Sequence, residues 1–379
     1  MQRTFKYRIY PGKAQVTRLE QTLALCCELY NAALQERRDA WRIARTAINY
    51  HAQAVQLPEI KAIRPELGMV HSQVLQETLK RLEKAFDAFF RRVKAGEKPG
   101  FPRFRARARY DSFTYPQTGF ALESGKLKLS KIGHVKIKLH RPIEGKIKTL
   151  TITRNSTGKW FACFTAEVEH ELLPATIEAT GVDCGLKAFA VLSNGEAIAN
   201  PRFFRTEEKR LAHAQKKLSA EKRGSPERSK RRKVVAHIHE RIANQRRNFA
   251  HQESRKLVNR YQSIVFENLN IRGMLKNHCL AKSIADAAWS QLVLFTTYKA
   301  ESAGRRAVQV NPRNTSQMCS GCGEIVEKDL SVRVHRCFGC GLTLDRDHNA
   351  AINILTLGLQ SLGVPRALTI EAAPVYGAE

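Results

Sequence analysis

Apolar and polar residues alternate over the first ten positions, MQRTFKYRIY, with Phe5, Tyr7 and Ile9 on one side and Lys6 and Arg8 on the other. A period of two predicts a strand, and Pro11-Gly12 ends it. The period then changes. Val16, Leu19, Leu23, Cys26 and Tyr30 recur at helical spacing and predict a helix over 13–44. A second apolar stripe, from Val74 and Leu75 through Thr78, Leu79, Leu82, Phe86 and Phe89 to Val93, predicts a helix over about 70–94. Lys80, Arg81, Lys84, Arg91 and Arg92 lie largely off that stripe.

Alternation returns between 120 and 170, where Leu127, Leu129, Val135, Ile137 and Leu139 interleave with Lys126, Lys128, Lys136 and Lys138. A hairpin follows, with its turn near Asn155-Ser156-Thr157-Gly158. Together with the first strand these are expected to close a small barrel, the two long helices forming an insertion in it. A new pattern begins near Pro174. ATGVDCGLKAFAVLSNGEAI reads as three strands joined by tight turns. Residues 205–260 read as helical, broken at Gly224-Ser225-Pro226, with Ile238, Ile242 and Phe249 on the buried side. Ser263 to Glu267 is an apolar run of the kind buried on both faces. A helix at about 287–303, a strand from Ala307 to Val310 and a last helix from about 347 complete the order. The predicted class is α+β, with more than one domain.

Charge narrows the partners. Lys and Arg number 64 against 35 Asp and Glu, a formal net charge of +29. Such an excess repels itself unless a polyanion neutralises it, and nucleic acid is the expected partner. Two stretches are candidate contacts. Arg103, Arg105, Arg107 and Arg109 interleave with Phe101, Phe104, Tyr110, Phe113 and Tyr115, which suits phosphate binding and base stacking. Arg231, Arg232 and Lys233 belong to the densest basic patch, beginning at Arg228. Each stretch is equally what a solvated loop or helix face looks like. No segment has the roughly 18 consecutive apolar residues of a membrane span, and residues 1–10 lack a secretory apolar region. No membrane partner is expected, and a cytoplasmic location is, with association to the nucleoid through DNA. The pattern leaves the oligomeric state open.

The chemistry concentrates near the end of the chain. Cys319-Ser-Gly-Cys322 and Cys337-Phe-Gly-Cys340 are two CxxC pairs, the spacing that wraps one tetrahedral zinc in a closed structural site. His335 is a spare donor that four cysteines make unnecessary. The other cysteines, Cys26, Cys27, Cys163, Cys184 and Cys279, read as packing residues. Three carboxylates stand out. Asp183 lies on the first strand of a hairpin between Gly181 and Gly185, Glu267 at the end of the buried strand, and Asp347 in the first turn of the last helix with Asp345 as its cap. Each alone is compatible with a turn or cap residue. Their order and element types together allow them to converge. Hard oxygen donors suit magnesium, and two ions about 3.5–4 Å apart would serve an in-line phosphodiester displacement.

The strings GVDCGLKAFAVLSNG (181–195), VFENLNIRGM (265–274), NPRNTSQMCSGCG (311–323) and DRDHNAAINIL (345–355), with FKYRIYP (5–11) and KPGFPRF (98–104), resemble the transposon-encoded TnpB (OrfB) family. Cys184 departs from the aliphatic residue usual there. The resemblance implies an RNA-guided DNA endonuclease, related to type V CRISPR effectors, that cleaves double-stranded DNA beside a short adjacent motif. Its guide RNA would come from the transposon end. It implies a wedge-type β-barrel (1–10 and 96–173) with a helical recognition insert (11–95). An RNase H-like (RuvC) α/β nuclease domain (174–310 and 346–363) would follow, with an inserted zinc ribbon (311–345) and a disordered tail (364–379). The family triad falls on Asp183, Glu267 and Asp347 and its zinc cysteines on Cys319, Cys322, Cys337 and Cys340. A guided repressor that does not cleave, a transposase acting on element ends and a guide-free junction resolvase are the alternatives.

Overall fold

The computed structural model describes residues 1–123, 125–329 and 332–363. The tail from 364 onward, expected to be disordered, lies outside the described residues. The chain divides into two compact units, Met1–Glu169 and the part from His170 onward.

The first unit opens with β1 (Gln2–Tyr10), α1 (Lys13–Ala44), α2 (Tyr50–Val55), α3 (Leu57–Ile63) and α4 (Ser72–Lys94). Six strands follow: β2 (Ser112–Tyr115), β3 (Phe120–Glu123), β4 (Lys126–Leu129), β5 (Gly133–Lys138), β6 (Lys146–Arg154) and β7 (Trp160–Glu167). They form one sheet in the order β2-β6-β7-β1-β5-β4-β3, antiparallel throughout. Its edge strands are joined by a short turn, across which Tyr115 and Phe120 touch at 6.3 Å between ring centroids. The sheet is therefore nearly a closed barrel.

Alternation decides which side chains go inside. Phe5, Tyr7 and Ile9 of β1 are wholly buried, and so are Leu127, Val135, Leu150 and Phe164 on the other strands. Leu139 is exposed, because it stands one residue beyond β5. The core continues without a break into Leu19, Leu23, Cys26 and Leu34 of α1 and Leu75, Leu79 and Leu82 of α4. Helices and sheet thus share one core. The apolar stripe of α4 leaves it after Leu82. Phe86 and Phe89 are half-buried against Phe101, and Val93 is 49% exposed. Helices α2 and α3 were not predicted by periodicity; α2 docks through Gln53, whose side chain bonds the Ala33 carbonyl, Glu36 and Arg37, and α3 buries Leu57.

The second unit begins with the hairpin strands β8 (Ala179–Asp183), β9 (Ala188–Leu192) and β10 (Ala197–Ala199). The long helices α5 (Phe203–Ala220) and α6 (Pro226–Arg260) come next, then β11 (Ser263–Glu267), α7 (Ile271–Met274), α8 (His278–Ala287), α9 (Trp289–Ser302) and β12 (Arg306–Val310). The short strands β13 (Val334–Arg336) and β14 (Thr343–Asp345) run into the last helix, α10 (Arg346–Ser361). The sheet order is β10-β9-β8-β11-β12, with β8, β11 and β12 parallel and the hairpin antiparallel.

The sheet's two faces have different covers. Val182, Ile264 and Phe266 point to Leu257 and Val258 of α6 and Leu292 and Ala300 of α9. The alternate residues, Gly181 and Val265, point to α10. A Cβ on Gly181 would sit 2.6 Å from the Leu355 nitrogen, and one on Gly358 would sit 2.9 Å from the Val265 Cβ. Two glycines, one on the strand and one on the helix, therefore let α10 lie directly on the sheet. Farther out, α5 and α6 pair through a small core of their own, Leu211, Ala214, Ile238 and Ile242. Buried Asp286 fixes the base of that pair. It accepts from the Phe204 backbone at 2.9 Å and from Arg246 at 2.7 Å.

Replacing Gly181 or Gly358 with alanine forces α10 off the sheet, and each change is expected to lower stability by about 1–3 kcal/mol. Chemical denaturation followed by circular dichroism checks this. Gly68→Ala, where a Cβ has nothing within 4 Å, should leave the midpoint unchanged.

Candidate functional site

Strand register brings the first two carboxylates together. Val182 stands opposite Phe266 on parallel neighbours, so Asp183 and Glu267, one residue on, end their strands side by side. Alternation turns both toward the face that α10 covers, since Gly181 and Val265 lie two residues back on each strand. The third carboxylate arrives with the helix. Asp347 is in the first turn of α10, and a Cβ on Gly185 would lie 4.0 Å from its Oδ2. Asp345 caps this helix by accepting from the backbone N–H of Asp347 at 2.9 Å and of His348 at 3.4 Å. His348 then donates from Nε2 to the Ser193 carbonyl at 3.1 Å, pinning the helix start to the β9–β10 turn.

The three act on one another electrostatically. Burial pushes the Asp183 carboxyl up to about 8, and the charges of Glu267 and Asp347 push the same way. Burial also raises Glu267, while a hydrogen bond from Thr315 opposes it. Asp347 takes positive partners instead. Its Oδ1 accepts from Arg346 Nε at 3.1 Å and Nη2 at 2.9 Å, and Arg333 Nη1 lies 3.8 Å from Oδ2. Crowded hard oxygens, with the charges of Glu267 and Asp347 adding to the burial of Asp183, are what a divalent cation relieves, so the donor set fits magnesium. Cys184 packs on the opposite side of the strand, against the α6–α9 core.

The cysteines form a second centre. Cys319 Sγ is 3.6 Å from Cys340 Sγ, Cys322 Sγ is 3.5 Å from Cys337 Sγ, and all four lie within 4.8 Å of one another. A tetrahedral zinc with bonds of about 2.3 Å needs sulfurs about 3.8 Å apart, so the four fit. Of the remaining cysteines, Cys26 and Cys27 are buried and Cys163 and Cys184 half-buried, as packing residues should be; Cys279 is instead exposed on α8.

Residues that periodicity did not single out join the two centres. Asn349 and Asn353 sit one turn apart on the buried side of α10. Asn349 donates to the Met318 carbonyl at 2.8 Å and accepts from the Ser320 N–H at 3.0 Å. Asn353 donates to the Thr315 carbonyl at 2.9 Å. The loop that carries Thr315 to Glu267 and Cys319 to its knuckle is therefore bolted to the helix that carries Asp347. Two asparagines four residues apart on an apolar stripe were the available signal. Thr315, Arg333 and Arg346 had none, because their roles depend on a loop and hairpin without period.

Among the candidate nucleic-acid contacts, Arg103, Arg105, Arg107 and Arg109 are all exposed. The aromatic residues between them divide. Tyr110, Phe113 and Tyr115 are core residues and are not available for stacking on bases; β2 alternates Phe113 and Tyr115 inward, and Tyr110 is buried just ahead of it. Phe101 and Phe104 are 47% and 45% exposed. On α6, Arg232 and Lys233 are exposed and Arg231 pairs with Glu221 at 3.7 Å. Among the described residues, no helix is long and apolar enough to cross a membrane.

Three family models match the chain. One described as a helix-turn-helix domain covers residues 1–45, one described as a probable transposase covers 163–278, and one described as Cas12f1-like, TNB domain covers 289–354. In this structure residues 1–45 form a strand and a single long helix. A Streptomyces pristinaespiralis protein named "Putative RNA-guided DNA endonuclease" is 36% identical over 95% of this chain and 90% of its own length. The Escherichia coli K12 protein named "Putative RNA-guided DNA endonuclease InsQ" is 30% identical over 93% of this chain and 92% of its own. A chain in the cryo-EM structure of a Cas12f1–sgRNA–target DNA complex shares the fold, with a TM-score of 0.57 at 16% identity over 90% of this chain and 82% of that one.

The raised Asp183 has a signed consequence for the protein without added divalent cations. Its carboxyl keeps a proton at neutral pH, while the unfolded chain releases that proton near about 4. The stabilisation is full below about 4 and is lost as pH rises through about 8. Wild type should therefore lose stability over that window relative to Asp183→Asn. Urea midpoints at pH 5 and pH 8.5, with zinc retained, measure the difference; parallel slopes for the two proteins would contradict it.

Proposed function

The chain belongs to the TnpB (OrfB) family of transposon-encoded, RNA-guided DNA endonucleases, and we propose that it cleaves double-stranded DNA by magnesium-dependent phosphodiester hydrolysis at Asp183, Glu267 and Asp347. The observation that carries this is the placement of these three carboxylates at one end of the sheet, two by strand register and the third by the first turn of α10. A hairpin continued by parallel strands, with the last helix bringing a third acid across them, is also the order of an RNase H-like core. We assign residues 174–310 and 346–363 to that RuvC-like domain and 311–345 to its zinc insert. Residues 1–10 and 96–173 are assigned to the wedge barrel and 11–95 to the recognition insert.

Two magnesium ions held by the three carboxylates would supply an activated water and neutralise charge on the phosphate under attack. The protein's own part is to hold the oxygens still. Asp183 gives up its proton when the site fills. Thr315 fixes the orientation of the Glu267 carboxylate, and Arg346 fixes that of Asp347. The cysteine site, closed by four sulfurs, would hold zinc for structure and keep the Thr315 loop and Arg333 against the acids. Base pairing with a guide RNA from the transposon end would read the target, and the protein would hold backbones through its charge of +29. Arg103, Arg105, Arg107, Arg109, Arg232 and Lys233, with Arg231, are the proposed backbone contacts.

One experiment separates the readings. The gene is expressed with its own downstream flank, the guide segment is reprogrammed, and cells are challenged with a plasmid library carrying randomised bases beside the target. Wild type should deplete a subset of plasmids, and Asp183→Ala should cut at least about a thousandfold more slowly, about 4 kcal/mol of barrier. Equal depletion by both would remove Asp183 from catalysis. Co-purifying RNA without depletion favours a guided repressor, and strand joining without RNA favours a transposase. Binding should also weaken steeply with salt, with a log–log slope of roughly −5 if about six phosphates are neutralised.

A further inference from the structure

Between α4 and β2, residues 98–106 form no helix, strand or turn. Rings tie the two ends of this segment. Phe101 meets Phe86 and Phe89 edge-on, at 5.6 and 5.4 Å between centroids, and Tyr110, just past the far end, is buried in the core. The middle is tied by a side chain from another element. Asn31, half-buried on α1, accepts from the Arg105 N–H at 2.8 Å through Oδ1 and donates to the Arg105 carbonyl at 2.9 Å through Nδ2. Cys27, one turn earlier on the same side of α1, donates from Sγ to that carbonyl at 3.2 Å. Among the described residues, the backbone of 98–105 makes no other hydrogen bond.

The residue type matters. A carboxamide holds an acceptor and two N–H donors on one plane, so it can pair with both backbone groups of one residue as a neighbouring strand would. A carboxylate could only accept, and an aliphatic side chain could do neither. What Asn31 holds in place is a run of cations. Arg103, Arg105, Arg107 and Arg109 are exposed, and none forms an ion pair among the described residues. Arg38 of α1 adds another exposed guanidinium, 5.2 Å from the centroid of the Phe104 ring. Like charges on a free chain repel and spread it, and such a chain would become ordered only on binding, which weakens binding by the conformational entropy lost. Held at Arg105, the segment is ordered beforehand.

We propose that Asn31 is a positioning residue that clamps residues 103–109 in one path, so that their guanidinium groups meet a phosphodiester backbone already arranged. The inference rests on the reading of these arginines as backbone contacts and adds the residue that orders them. RNA and DNA share the chemistry bound, so the test carries one arm for each.

The test uses the full-length chain and Asn31→Leu, which is close in volume and forms neither bond. Two labelled probes are titrated: RNA transcribed from the gene's own downstream flank, and a mixed-sequence DNA duplex added to chain already holding that RNA unlabelled. Limited trypsin digestion without nucleic acid, read by mass spectrometry, reports cuts after Arg103, Arg105, Arg107 and Arg109. Asn31→Leu should be cut there about tenfold faster than wild type, at a melting temperature close to wild type. It should bind at least one probe about tenfold more weakly with the salt slope unchanged, because no charge is lost. Arg105→Gln should instead lower that slope by about 1. The probe affected tells which strand lies on the segment. If Asn31→Leu melts well below wild type, Asn31→Asp takes its place in the digestion. It keeps the volume and the bond from the Arg105 N–H, sets a carboxylate oxygen against the carbonyl, and should also be cut faster. Cutting no faster than wild type would overturn the clamp. Faster cutting with wild-type affinity for both probes would make the clamp structural only and overturn the positioning role. Wild-type affinity and slope after all four arginines are changed to glutamine would sink the contact reading itself, and this inference with it.

Discussion

Everything in the second unit depends on how closely α10 lies on the sheet. A helix normally rides on side chains, which hold its axis well away from strands. Here Gly181 removes the side chain from the strand and Gly358 removes it from the helix, at two points along one line of contact. The helix backbone is thereby fixed against β8 and β11 at two points of its own length, across the register pair Gly181 and Val265, and its first turn lies at the end of those strands. Asp183 and Glu267 are two residues beyond Gly181 and Val265, on the same face. The convergence of three acids is therefore a packing result before it is a chemical one.

The electrostatics of the site run against those of the chain. A protein with a charge of +29 keeps a cluster of carboxylates half-buried and mutually repelling. Arg346 and Arg333 offset part of this at Asp347, but at Asp183 burial, reinforced by neighbours of its own sign, favours the protonated carboxyl. Such an arrangement is unfavourable for the fold taken alone. It becomes reasonable where a divalent cation and a polyanionic substrate complete the charge balance. The surplus of exposed arginine and lysine elsewhere would bring that polyanion in.

The cysteine insert is tied to this site by short polar links, not by a core. Asn349 and Asn353 reach from α10 into the backbone of 315–320, and Thr315 reaches back to Glu267. Small metal-bound lobes have little apolar area to bury. Their geometry comes from such bonds and from any metal they hold, so an ion held by the four cysteines would bear on the position of Thr315 and Arg333.

Much of this was legible in the chain. Period-two and period-3.6 patterns marked β1, α1 and α6 because each has one dry side, and dryness forces regular spacing; β11 showed as an unbroken apolar run because both its faces are covered. The CxxC pairs were legible because two thiolates on one knuckle need a fixed separation to share a metal. Asp345 as the helix cap was legible because capping is local. What the sequence could not decide is equally physical. Phe113 and Tyr115 look like Phe101 and Phe104 in a string of arginines, yet β2 turns the first pair into the core and leaves the second half-exposed. The stripe of α4 runs on past Leu82, but the core it packs against ends there. Thr315, Arg333 and Asn349 acquire their partners only when a loop, a hairpin and a helix from separate stretches come together. Local pattern reports which side of an element is dry; only the tertiary structure decides what stands on that side.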